Sequence, residues 1–172
     1  MRPAIPLTTV VVTFAIGGCG GGGATHTVAS HTPTMTASQP STPAALEQAV
    51  RRAVEKEHSM SVEVLWTNRV PANPPAIGGP ALAILRRSVA QRRRAGVRVR
   101  VLSERFRIVS VQLDPSYAAA TAVVLENQRV QPTDPNGRRR GGPSAASERV
   151  RLQLRRAGNS ERFIVWKVTL LR

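Results

Sequence analysis

Val97–Leu113 reads VRVRVLSERFRIVSVQL. Val97, Val99 and Val101 alternate with Arg98 and Arg100, the period of two that a strand with one buried face imposes. Phe106 and Ile108 fall in the opposite phase, and Val109, Val111 and Leu113 return to the first. A strand keeps its faces through such slips only if extra residues absorb them. The stretch therefore predicts a long strand with β-bulges or a break near Ser103 to Arg105. Long bulged strands belong to curved sheets.

Outward from this stretch, the C-terminal side continues as strands. Asp114-Pro115-Ser116 marks a turn into Ala118–Val130, and Gln131–Ser144 (QPTDPNGRRRGGPS) is a polar loop with an Asn136-Gly137 turn signal. Glu148–Arg156 alternates cleanly, with Val150, Leu152 and Leu154 inward and Arg149, Arg151 and Arg155 outward. Gly158-Asn159-Ser160 is the last hairpin turn before Arg162–Leu171. The N-terminal side is helical. Thr42-Pro43 offers an N-cap and a first-turn proline, and Leu46, Ala49, Val50, Ala53 and Val54 share one face of a helix reaching about His58. In Ser61–Thr67, Val62, Val64 and Trp66 alternate as in a strand, while Leu65 continues the helix; the alternation favours a short strand. Stacked prolines make Pro71–Pro75 a loop. A second helix starts at Gly79-Pro80 with Leu82, Ile84, Leu85 and Val89 inward, and ends in Arg92-Arg93-Arg94 before Gly96. Arginines suit the negative end of the helix dipole and Gly96 suits a left-handed cap. Helices followed by antiparallel strands give α+β: two N-terminal helices packed on a curved antiparallel sheet of about four to five strands.

Residues 1–18 read as a signal peptide, with Arg2 before the apolar run Ile5–Ile16, which is too short to span a bilayer. Ile16-Gly17-Gly18-Cys19 resembles the bacterial lipobox. Cys19 is the only cysteine, so its thiol is expected to carry the lipid and not a disulfide. Residues 19–42, rich in Gly, Thr, Ser and Pro without apolar periodicity, form the expected tether, and residues 43–172 the folded domain. The expected location is the outer face of the cell membrane, by lipid on Cys19, with plain secretion as the alternative. His26 and His31 lie in the tether and are not read as metal ligands.

The layout of residues 44–171 resembles the nuclear transport factor 2-like (SnoaL-like) superfamily. Gly79–Arg86 (GPALAILR) stands where such proteins carry a glycine-led helix, and Val97–Val101, Ala118–Leu125, Val150–Leu154 and Phe163–Val168 stand for the curved strands. Exported actinobacterial lipoproteins of this type are similar in combining lipobox, Ser/Thr-rich tether and one such domain. The resemblance implies a cone-shaped fold. The helical part is shorter than the usual three helices, which leaves a cystatin-like fold as the alternative.

Catalytic members of that superfamily place an Asp, His or Tyr inside the cone, and no residue here carries over. His58 is expected at a helix end, Asp114 and Asp134 cap turns, Tyr117 sits beside one, and Glu104 and Glu126 are expected to pair with arginines. No nucleophile series, phosphate loop or metal-ligand cluster is legible, so neither enzyme activity nor cofactor nor metal is expected. The chain carries 25 basic and 10 acidic residues, a formal charge of +15. Only Lys56 and Lys167 are lysines, a bias that fits either bidentate anion contacts or a GC-rich genome. Arg98, Arg100, Arg107, Arg149, Arg151 and Arg155 should share a sheet face, and Arg138, Arg139 and Arg140 cap a loop. Together they are candidate contacts for anionic lipid headgroups or envelope polymer. Nucleic acid is not expected, because Trp66, Phe106, Phe163 and Trp166 read as core and not as stacking platforms. The leading expectation is a non-catalytic, lipid-anchored binding or accessory domain with an apolar or filled interior. A basic-face module and a small enzyme of the superfamily are the alternatives. A buried carboxylate beside a histidine would count against the leading one.

Overall fold

The computed structural model describes residues 42–158 and 160–171. They belong to one compact unit, Gln39–Arg172. Cys19, His26 and His31 lie outside the described residues. The order is two helices, α1 (Pro43–Thr67) and α2 (Gly79–Arg94), then four strands: β1 (Arg98–Leu113), β2 (Ala119–Thr133), β3 (Ser144–Arg156) and β4 (Phe163–Leu171). The strands form one antiparallel sheet in the order β1-β2-β3-β4. This is the expected α+β layout, two helices on a four-stranded open sheet, and it is consistent with the cone-like fold. No described helix is long and apolar enough to cross a membrane.

α1 starts as its sequence dictates, with the Thr42 hydroxyl accepting from Ala45 N at 3.2 Å and Pro43 in the first turn. It does not stop at His58. Residues 61–67 are helical and not a strand, because Met60 and Val64 continue the apolar face of Leu46, Val50, Ala53 and Val54. Trp66, which the strand reading turned inward, is 42% exposed. The helix closes at Asn68, left-handed at φ 51°. α2 ends in a cap of the Schellman type. Gly96 N donates to Arg93 O and Val97 N to Arg92 O, both at 3.0 Å, with Gly96 at φ 61°.

The long strand takes its bulges where the phase of the sequence changes. Pairing with β2 slips between Val101 and Ser103 and again between Ile108 and Ser110, so Leu102 and Val109 are the extra residues. Both are exposed. A third slip leaves Trp166 unpaired in β4. The slips keep Phe106, Ile108, Val111 and Leu113 on the face that packs against the core, with Val124, Val150, Leu152 and Leu154 of the neighbouring strands. Phe163 and Val165 complete that core against Leu46, Val50, Val54 and Val64.

α2 joins the sheet edge by a close backbone approach. Gly78 N donates to Val165 O at 2.9 Å, and Ile77 bridges Val165. At Gly79, left-handed at φ 49°, a Cβ would sit 2.7 Å from the Trp166 ring, so only glycine fits both the turn and the contact.

Candidate functional site

The register decides which face each arginine takes. Val150, Leu152 and Leu154 of β3 pair with Val124, Ala122 and Ala120 on the helix side, so Arg149, Arg151 and Arg155 face the other way. Arg107 aligns with Leu125, which aligns with Arg149. The same alternation, carried across the bulges, puts Arg98, Arg100, Arg105 and Arg129 on that face as well. The six strand arginines singled out in the sequence therefore do share one side. Arg105 joins them because it keeps the phase of Arg107 beyond the bulge at Leu102, and Arg129 because the unbroken alternation of β2 turns it outward. Apart from half-buried Arg98 all are exposed, and none has an ion-pair partner among the described residues. No two face each other directly, because β2 places Leu125, Asn127, Gln131 and Thr133 between or opposite them. Arginines of β1 and β3 are thus about 10 Å apart, two strand spacings. That distance is near the Debye length at 0.1 M salt, which keeps their repulsion small.

The loop arginines divide. Arg140 is committed to structure, its Nη1 donating to Ala95 O at 2.9 Å and Gly96 O at 3.3 Å beyond the end of α2. Arg138 lies in the turn that Asp134 organises, where Oδ1 accepts from Asn136 N and Arg138 N at 2.9 Å each. Arg139 pairs with Thr133 as an isolated bridge and so returns towards the sheet. Arg155 also stacks on Trp166, its Cζ 4.2 Å from the ring centroid. Asp114 behaves as a turn carboxylate, accepting from Ser116, which holds it below its usual range.

The helix side of the sheet carries a second polar group that sequence reasoning missed. With α1 extended, His58 lies well inside the helix and points inward, its side chain 14% exposed. Its Nε2 lies against Glu104 Oε1, and its Nδ1 lies 3.5 Å from Glu126 Oε1. Phe106 stacks on the imidazole with ring centroids 3.9 Å apart. Glu104 and Glu126 were expected to pair with arginines, but the register turns them to the helix face while the strand arginines take the other. Gln128 donates to Glu126, and Glu57 accepts from the Ser61 hydroxyl at 2.7 Å. Burial raises the Glu57 carboxyl above its ordinary value. Burial also raises Glu126, opposed by His58 and reinforced by Glu104, Glu57 and Glu148. Glu148 stands directly across from Glu126, an unfavourable like-charge pairing.

Two carboxylates, Glu104 and Glu126, thus face one imidazole, and Glu57 and Glu148 lie close enough to Glu126 to raise it. The interior is not apolar at this end of the sheet, and a part-buried carboxylate beside a histidine is the feature that counts against a non-catalytic domain. His58, Glu104 and Glu126 offer donors within 4.8 Å of one another, close enough for a divalent ion. Each ring nitrogen faces a different carboxylate, Nε2 towards Glu104 and Nδ1 towards Glu126. The main recesses are open grooves of about 230 to 720 Å³, and His58 lines none of them. Glu104, its closest carboxylate, does line one of them, the groove of about 720 Å³ between β1, β2 and β3.

With this geometry the described chain superposes on the intermembrane space region of the chloroplast protein ARC6. The TM-score is 0.62 at 12% identity, over 73% of this chain and 95% of that one. The two share a fold. Two structures of a protein from Catenulispora acidiphila, one in complex with S-DNPA, also match. They are 23% identical and cover 74% of this chain and 92% of theirs, with TM-scores of 0.36 and 0.38. No family model matches the chain, and no curated protein matches it.

Proposed function

We propose that the protein is an exported, lipid-anchored, non-catalytic binding module of nuclear transport factor 2-like type, whose open sheet face holds an anionic polymer of the cell envelope. The observation that carries this reading is the exposed array from Arg100 to Arg155 on the sheet face opposite the helices, unpaired by any described carboxylate. Guanidinium forks bind phosphate bidentately. Envelope polymer and lipid headgroups offer the same phosphate chemistry, and the binding experiment below separates them. The His58 cluster is read as a structural counterpart that draws the acidic residues away from the basic face.

Two experiments test the two halves of this reading. For binding, residues 39–172 should be retained on an immobilised glycerol-phosphate polymer and pass through a neutral glucan. Replacing Arg149, Arg151 and Arg155 with Gln should abolish retention without lowering Tm. Equal retention of that variant, or stronger binding to anionic vesicles than to the polymer, would overturn the assignment. For anchoring, Cys19→Ala should release the full chain from the membrane fraction, and mass spectrometry should find diacylglycerol on the wild-type cysteine.

A further inference from the structure

The arginine face is not uniform. At one end the 134–143 loop folds back over β2. Arg140 N donates to Pro132 O at 2.9 Å, and the Gln131 amide donates to Gly141 O at 2.9 Å. Between loop and sheet lies a groove of about 230 Å³, walled by Arg100 on β1, Arg129 and Thr133 on β2, and Arg139 on the loop. Its shape is fixed by backbone, because the Thr133–Arg139 bridge and the paired Asp134 and Gly137 turn hold Arg139 opposite β2. None of the three guanidiniums has an ion-pair partner among the described residues.

A second observation is independent of charge. Thr133 is only 2% exposed, and its hydroxyl has no hydrogen-bond partner. Leaving a buried hydroxyl unsatisfied costs stability, and native structures seldom do so without a reason. Valine would fill the same volume without that cost. The threonine leaves a spare donor at the wall of this groove.

We infer that this groove is a subsite for a single phosphate-ester group, gripped by Arg100, Arg129 and Arg139 and accepting a hydrogen bond from the Thr133 hydroxyl. Arg100, Arg129, Arg139 and Thr133 line the groove from two strands and a loop, and the N–H groups of three guanidiniums outnumber the roughly four lone-pair sites of a carboxylate. A tetrahedral oxyanion can receive all four side chains. The inference rests on the anion-binding reading of the sheet face and deepens it: the open array attracts a polyanion, and the groove holds one of its phosphates in place.

The test titrates residues 39–172 with inorganic phosphate and with glycerol phosphate, following arginine side-chain Nε–Hε signals by NMR. Saturable shifts are expected at Arg100, Arg129 and Arg139, with glycerol phosphate at least as effective as inorganic phosphate. Thr133→Val should weaken phosphate binding about tenfold or more, while Tm stays level or rises because an unsatisfied hydroxyl has gone. Arg129→Gln should also weaken it, whereas Arg149, Arg151 and Arg155 replaced together should leave groove binding intact. Three results would overturn the inference: shifts spread over all arginines without saturation, Thr133→Val binding phosphate as well as wild type, or Thr133→Val lowering Tm. Polymer retention lost with the sheet-face variant but not with the groove variants would leave the proposed function standing without this subsite. Phosphate held in the groove with no polymer retention would do the reverse.

Discussion

At the residue scale, single positions show how local chemistry sets the frame. Gly79 combines a positive φ with Trp166 ring atoms 2.7 Å from where a Cβ would lie. Gly79→Ala should therefore cost about 2–4 kcal/mol in urea unfolding, from overpacking plus backbone strain. A loss under about 0.5 kcal/mol would show that the approach of α2 to β4 is looser than described. Glu57 gives a pH signature. Its folded-state carboxyl is raised by burial above its ordinary value. Above that value the folded chain binds more protons than the unfolded one, so this group's contribution falls as pH rises. Glu57→Gln, which can still accept from Ser61, should gain Tm over wild type as pH rises above the ordinary carboxylate range. A difference that stays flat or reverses as pH rises would remove burial as the cause.

At the element scale, α1 is the informative case. Val62, Val64 and Trp66 alternate as well as any strand, but Met60 and Val64 lie four apart and Val64 reaches the core. A proline inside a helix removes one backbone hydrogen bond and clashes with the preceding turn. Val62→Pro should therefore cost about 3 kcal/mol or more, where an edge strand would tolerate it better. The strands were legible because Val150, Leu152 and Leu154 alternate without interruption, and the phase changes of the first strand announced its bulges. The His58 cluster was not legible. It joins residue 58 to residues 104 and 126 through a helix length and a register, neither of which has a local signal at His58. The unpartnered Thr133 hydroxyl was equally hidden, since only the returning loop buries it. What the sequence did show was the charge imbalance. The fold sorts that imbalance, with four glutamates on the helix side of the sheet and arginines on the other.

At the scale of the whole molecule, a chain of formal charge +15 presents an uncovered sheet face with arginines in rows and its acidic residues largely turned away. Such a surface binds a polyanion by displacing its counterions, and the displaced ions make affinity fall with salt. The most direct measurement is the affinity of residues 39–172 for a glycerol-phosphate polymer from about 50 to 300 mM NaCl. The account expects log K to fall linearly with log salt, and replacing Arg149, Arg151 and Arg155 with Gln to reduce the slope by about two to three units, near one per lost phosphate contact. A slope near zero, or one unchanged by removing those three arginines, would contradict it.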